Sequence, residues 1–300
     1  MKLPTDPNAP CPCPSGLTYG ECHKATNDAA DAELLDVAHR EYARRWGGNS
    51  SAYEAQGLYG RLAAHLVKSG PVRRIIDVGC GRGEGLAALR ELTGGDGLLV
   101  GIDENPDCLA GAADHLGVTR PATRLVRVPA SGRDFDVTFV PGRLPPIARV
   151  VLVQADMLLP DPEFENWIGG LAPVDAVTMW FAGVHPARQF DRNIKAIGIT
   201  DDRIHRMTND LATLDLAGAV LRQGGLLQIV GRTMANRAQW AIDEAANEMR
   251  ALAEHGPFDV VDVEVHEYDE PSTGPRIAVG APGIAGHQRY ATSTILRRSG

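Results

Sequence analysis

Apolar positions recur along this chain with two different periods, and the changes from one period to the other divide it into elements. From Asp28 to about Lys68, Leu34, Leu35, Ala38 and Tyr42, and then Leu58, Leu62 and Leu66, return at steps of three and four. That spacing predicts helix, with a break at the GGNSS stretch of residues 47–51. After Ser69-Gly70-Pro71 comes RRIIDVG, a short β-branched run ending in glycine, which predicts a strand. A helix carrying Leu86, Leu89 and Leu92 follows. GDGLLVGID and NPDCLAGAADHLG repeat the pair. IARVVLVQADM and VDAVTMWFAG add two strands, and LAGAVLRQGGLLQIVGRT reads as a helix, a Gly-Gly turn and a strand. Alternating strands and helices predict an α/β fold whose mostly parallel sheet is covered on both faces.

Two stretches depart from the alternation. Between Pro121 and Pro146, TRLVRV and FDVTFV have period two on either side of PASGRD, which predicts an inserted hairpin serving as an arm or a cap over the site. Near the end, FDVVDVEVHEY and RYATSTILRR predict a closing antiparallel pair joined by a Pro/Gly-rich loop from Glu270 to Gly286. No internal repeat is visible.

At 300 residues the chain suits one large α/β domain or one domain plus a small module, and length alone does not choose between them. Hydrophobic residues make up 44% and charged residues 23%, and no apolar run approaches a membrane span of about eighteen residues. The opening MKLPTDPNAP has no apolar stretch after its lysine, so no secretory signal is expected and a cytoplasmic, reducing location follows. A net charge of −8 argues against bulk electrostatic binding of nucleic acid, and no membrane partner is expected.

Three of the five cysteines fall in CPCPSGLTYGECHK, residues 11–24. Cys11, Cys13, Cys22 and His23 form two close pairs separated by Pro14, Ser15 and Gly16, a chain reversal that lets both pairs wrap one zinc ion tetrahedrally. A disulfide and scattered reduced thiols are the alternatives, and both are weaker: Cys11 and Cys13 are poorly placed to bridge each other, and a cytosolic chain seldom keeps a structural disulfide. Cys11, Pro12, Cys13, Ser15, Gly16, Tyr19, Cys22 and His23 resemble the SEC-C motif, a short zinc-binding module attached to many proteins. Pro14 stands where that module usually has glycine. The resemblance implies a structural zinc and a protein or ribosome contact through residues 1–27.

IIDVGCGRGEG, residues 75–85, carries the second motif. Gly79, Gly81 and Gly83 sit between a strand and a helix, where the backbone can approach a ligand. The dinucleotide spacing G-x-G-x-x-G fails in both registers, because Glu84 and Leu86 stand where the third glycine is needed. Asp77 precedes the loop, and a carboxylate there suits a cationic cofactor better than a pyrophosphate. The loop resembles the first motif of the class I S-adenosylmethionine-dependent methyltransferases, and later landmarks fall in that family's order across roughly residues 52–298. Asp103 ends the second strand, and Asp156 and Met157 follow the third. The resemblance implies a Rossmann-like sheet with an antiparallel last strand, in residues 28–300. It also implies that Asp77 and the glycine loop hold the methionine portion, Asp103 the ribose hydroxyls, and Asp156 and Met157 the adenine.

Methyl transfer from a sulfonium needs mainly alignment, with a base only if the acceptor must lose a proton. His185 in FAGVHP, beyond the fourth strand, is the candidate base, against the alternative of a structural histidine. Alternation along the strand allows at most one of Trp180 and Phe181 to line the pocket. Tyr53, Gln56 and Tyr59 lie on the helix before the sheet, where an aromatic could shield the sulfonium. The expected function is methylation of a small-molecule acceptor. A protein or ribosome-associated methyltransferase docking through the zinc module, and a cofactor-binding protein without transfer, are the alternatives.

Overall fold

In the computed structural model of the protein, residues 4–12, 16–271, 277 and 286–299 are described. Cys13, Pro14 and Ser15, and most of the loop between Glu270 and Gly286, lie outside them.

The chain begins with a small clasp. Cys11 N donates to the Leu17 carbonyl (2.9 Å), and Thr18 and Glu21 form a reciprocal capping box that starts α1, Tyr19–Cys22. α2, Lys24–Asp28, follows directly. Cys11, Leu17, Tyr19 and Cys22 form a separate small core.

α3, Leu34–Ala55, runs straight through the GGNSS stretch that composition predicted as a break. The polar residues there bond across the fold instead of turning on the local backbone. Ser50 Oγ donates to Glu84 Oε1 at 2.6 Å, and Asn49 Nδ2 donates to the Ile277 carbonyl at 2.9 Å. Gly47 leaves room for the Arg82 guanidinium, which a β-carbon would meet at 2.6 Å. Tertiary partners override the low helix propensity of these residues. The helix ends one turn later at Gly57, in the left-handed conformation, before α4, Leu58–Ser69.

The sheet elements follow in the expected order: β1, Arg74–Val78; α5, Glu84–Leu92; β2, Leu98–Asp103; α6, Pro106–Leu116. The hairpin comes next, as β3, Leu125–Pro129, and β4, Phe135–Phe139. Then come β5, Val150–Gln154; α7, Pro162–Gly169; β6, Val174–Trp180; α8, Arg192–Ala196; and α9, Asp202–Val220. β7, Leu221–Ala235, α10, Ala238–Ala253, β8, Phe258–Glu267, and β9, Gln288–Arg298, complete the chain. The seven-stranded sheet has the order β5-β2-β1-β6-β7-β9-β8. β5, β2, β1, β6 and β7 are parallel, and β9 pairs antiparallel with both β7 and β8. This is the mostly parallel, Rossmann-like sheet with an antiparallel last strand that the sequence predicted.

Helices cover both faces, as a parallel sheet requires. On β1, Ile75 packs into the cluster with Leu62, Leu66, Leu86 and Leu116, and the next residue, Ile76, packs into the opposite cluster with Phe164, Ala217 and Met249. The reversal of strand order lies between β1, which pairs with β2, and β6, so the loops at the carboxyl ends of these strands open a crevice.

The β3–β4 hairpin forms its own two-stranded sheet. It lies beside the start of α3 and α8, packing Leu125, Phe135 and Val137 against Leu34, Leu35, Ala38 and Ile194. Its root is pinned by the fully buried Arg124, whose guanidinium is 2.9 Å from Asp161 Oδ2. The hairpin is therefore a buttress for α3, and no residue of β3 or β4 lines the crevice that it was expected to cap. Among the described residues no helix is long and apolar enough to cross a membrane.

Candidate functional site

The crevice draws residues from four strand ends and from helices α3, α6 and α9, the last two through Cys108, His205 and Asn209. Gly79 and Gly81 follow β1, Asp103 ends β2 and Glu104 follows it, and Asp156 and Met157 follow β5. Phe181 and His185 follow β6, and Tyr42 and Trp46 come from α3. Asp77 and Gly83 stand behind this surface. Gly83 packs on α6, where a β-carbon would touch Ala112 at 3.2 Å.

Gly79 has φ +67°, and a β-carbon built there meets nothing within 4 Å. Backbone is thus exposed at the crevice floor, with empty space where a side chain would project. Asp103 holds the loop in this shape. Its Oδ2 accepts from Gly81 N (2.9 Å) and its Oδ1 from Asn105 N (2.9 Å). Burial, reinforced by the neighbouring Glu104 charge, raises the Asp103 carboxyl to about 7. Asp77 is 3% exposed and accepts from the Thr178 hydroxyl at 2.6 Å. Burial lifts its carboxyl to about 7 as well, against the opposing Thr178 bond.

Asp156 accepts from Leu158 N at 2.9 Å and faces Arg188 Nη2 across 2.6 Å. Arg188 also pairs with Asp191 at 3.1 Å, so two carboxylates share one buried guanidinium. His185 is buried, with Nε2 3.2 Å from Glu104 Oε1, and His39 of α3 places its Nε2 3.0 Å from Glu104 Oε2. Burial depresses the His185 imidazole below its ordinary value, against the pull of Glu104. Burial also works to raise the Glu104 carboxyl, but the His185 and His39 imidazoles outweigh it and hold it well below the carboxylate range.

Sequence reasoning missed His39, Glu104, Arg188, Tyr42 and Trp46. For Glu104 a signal existed, since it adjoins Asp103 at the strand end. His39, Tyr42 and Trp46 share one face of α3 at steps of three and four, but nothing local shows which face meets the crevice. The aromatics chosen instead pack elsewhere. Tyr59 lies stacked near Trp180 with ring centroids 6.2 Å apart, and Tyr53 donates its hydroxyl to Glu270 at 2.7 Å. Of Trp180 and Phe181 only Phe181 lines the crevice. Its φ of +58° breaks the strand alternation there.

In the amino-terminal clasp, Cys11 Sγ and Cys22 Sγ lie 3.2 and 3.1 Å from His23 Nδ1. Two sulfurs and an imidazole converging this closely fit zinc, whose preferred donors they are, and Cys13 lies outside the described residues. Residues 8–25 match the SEC-C motif. The SEC-C clasp is fastened to the sheet domain. Arg45 Nη1 donates to the Cys22 carbonyl at 2.8 Å, and Arg133, from the hairpin turn, donates to the Asn27 carbonyl at 2.8 Å.

Among solved structures the chain is similar to the pyocyanin biosynthetic protein PhzM, at 16% identity over 94% of this chain and 63% of that one, with a TM-score of 0.46. It is similar to TrmN from Thermus thermophilus at 12% identity over 80% and 48% of the two chains, with a TM-score of 0.42. It is also similar to an S-adenosylmethionine-dependent O-methyltransferase from Thermotoga maritima at 14% identity over 81% and 64%, with a TM-score of 0.41. This chain spans less than two thirds of each of the three. No curated protein matches the sequence.

Proposed function

We propose that this protein is an S-adenosylmethionine-dependent methyltransferase acting on a small-molecule acceptor, with residues 1–27 as a zinc-clasped module and residues 28–300 as the catalytic domain. The reading also makes it a cytoplasmic protein. The observation that carries it is the convergence of Gly79, Asp103 and Asp156, from three separate strands, on one crevice at the switch point of the sheet.

The residues present fit that cofactor. Backbone is bare at Gly79, and nothing fills the space before it. Asp103 leaves acceptor capacity beyond its two backbone bonds, enough for ribose hydroxyls. Asp77 supplies a carboxylate two residues behind the loop, and a cation bound nearby favours its ionised form. Asp156 and Met157 would flank the adenine, with Arg188 fixing the Asp156 carboxylate. When bound, the cofactor supplies an electrophilic methyl whose carbon–sulfur electron pair returns to sulfur as the acceptor's lone pair attacks in line.

The chain's own residues then have three tasks. Tyr42, Trp46 and Phe181 wall the crevice and exclude water. The glycine loop, held by Asp103, fixes the donor end and so contributes by alignment. His185 with Glu104 stands across the crevice where an acceptor proton would leave, and the depressed imidazole is neutral and able to take it.

Titration calorimetry with S-adenosylhomocysteine tests the cofactor reading. Binding to the wild type that weakens at least tenfold in Asp103→Ala supports it, and absent binding refutes it. The acceptor class is settled by incubating lysate with enzyme and labelled methyl donor: label in the small-molecule fraction is expected. Label in the protein or ribosome fraction would favour the reading in which the SEC-C clasp docks a macromolecule.

A further inference from the structure

Three groups of histidine, cysteine and carboxylate side chains converge among the described residues. Cys11, Cys22 and His23 belong to the clasp. His65, Asp262 and Glu264 already share a cation, since Lys68 Nζ lies 2.7 Å from Glu264 Oε1. The third group, His39, Glu104 and His185, has no such occupant.

These three side chains come from α3, the end of β2 and the loop after β6, and each offers one ligand atom within 4.8 Å of the others. The imidazoles meet edge to face at 4.8 Å between centroids, with one carboxylate oxygen of Glu104 beside each. Their backbones are tied as well. Asn105 Nδ2 donates to the His39 carbonyl at 3.1 Å, and Gln154 Nε2 donates to the Glu104 carbonyl at 2.8 Å. Held like this, the donors cannot easily turn away from one another.

A plain hydrogen-bonded cluster does not account for His185. It is 2% exposed, yet neither ring nitrogen has a partner in hydrogen-bonding geometry among the described residues, although Nε2 is 3.2 Å from Glu104. A buried polar group left in this condition points to an absent ion or water. Charge favours the ion. The neighbouring Arg188, whose backbone N–H bonds the His185 carbonyl, is already paired with Asp156 at 2.6 Å and Asp191 at 3.1 Å.

We propose that His39, Glu104 and His185 bind a divalent first-row transition metal ion, at a site separate from the SEC-C clasp. Two imidazoles and a carboxylate favour zinc, cobalt or iron over magnesium or calcium. Three protein donors leave coordination positions open, and Glu104 and His185 both line the crevice. Resting on the methyltransferase reading, the ion would act as the Lewis acid that lowers an acceptor hydroxyl's pKa. The acceptor is then an alcohol, phenol or enol whose proton passes to crevice water as the oxygen binds the ion, and in the metal-loaded protein His185 is a ligand, its role as base belonging to the metal-free form.

The test is a cobalt titration of the full-length protein, wild type and Cys11→Ser, followed by absorption spectroscopy. Expected, with the clasp of the wild type kept filled with zinc, is one equivalent with visible d–d bands and no sulfur-to-metal charge transfer, the same bands being retained in Cys11→Ser and weakened at least tenfold in His39→Ala and Glu104→Gln. His39→Gln and His185→Asn, which keep volume and polarity, guard against loss of fold and are checked by circular dichroism. Cobalt uptake seen only with sulfur charge transfer, or unchanged in folded His39 and Glu104 variants, overturns the site. Calorimetry with S-adenosylhomocysteine on the same samples keeps the two readings apart: loss of that binding with cobalt bands intact strikes the cofactor assignment alone.

Discussion

Arg45 and Cys22 are joined by a hydrogen bond of 2.8 Å from guanidinium to carbonyl, and Arg45 is 5% exposed. The last turn of the cysteine-bearing helix is therefore capped by the sheet domain, so the clasp is not an independent appendage. Arg45 Nε is used at the same time on the Glu41 carbonyl of its own helix (3.1 Å), which fixes its direction. Arg45→Met should lower stability by about 2 kcal/mol, the range for hydrogen bonds to a charged group, and should open residues 24–33 to protease. Urea unfolding and limited proteolysis check this, and unchanged cleavage would show that the contact does not hold the clasp. Deleting residues 1–24 removes the Glu21 and Cys22 carbonyls that Arg45 bonds and uncovers the surface on which they lie, so truncation should destabilise the whole chain.

Cys11→Ser is the gentler probe of the clasp. Metal analysis after dialysis should find near one equivalent of zinc lost in Cys11→Ser but retained in His39→Ala, because only the first touches the sulfur donors. Zinc retained in both would count against the clasp as its site.

Gly79→Ala should separate binding from folding. The added β-carbon enters empty space in the crevice, so the fold should lose only about 1 kcal/mol for the left-handed backbone at φ +67°. Affinity for S-adenosylhomocysteine should fall at least tenfold by calorimetry. Unaltered affinity would move the cofactor away from this loop.

Asp77 gives the apoprotein a pH signature. Its folded pKa is raised to about 7, from an unfolded value of about 3.9, so between these limits the native state holds a proton that the unfolded chain has lost. Its contribution to stability is present below about pH 4 and declines as pH rises to about 7. Chemical unfolding at pH 5 and pH 8 should show Asp77→Asn gaining on the wild type by a few kcal/mol at the higher pH. Parallel profiles for the two proteins would mean that Asp77 is not buried as ionisable acid.

Much of this organisation was legible without coordinates. The short β-branched and apolar runs between helical stretches located every strand of the main sheet, because a buried strand's apolar character follows from its own residues. The glycine run after β1 and Asp103 at the end of β2 were visible as chemistry at an element boundary. GGNSS misled because Asn49 and Ser50 find their partners 228 and 34 residues away, at Ile277 and Glu84. No local rule weighs such bonds against helix propensity.

The sequence by itself determined the alternation of elements, the class of sheet, the glycine loop and the sulfur donors of the clasp. Each depends on neighbours in the chain or on a short spacing. Only the tertiary structure decided that the hairpin buttresses α3, that Arg45 and Arg133 fasten the clasp, and that His39 joins Glu104 and His185. These contacts join residues 23 to 146 positions apart, and the direction of an α3 side chain toward the crevice is set by packing against α5, α6 and the sheet.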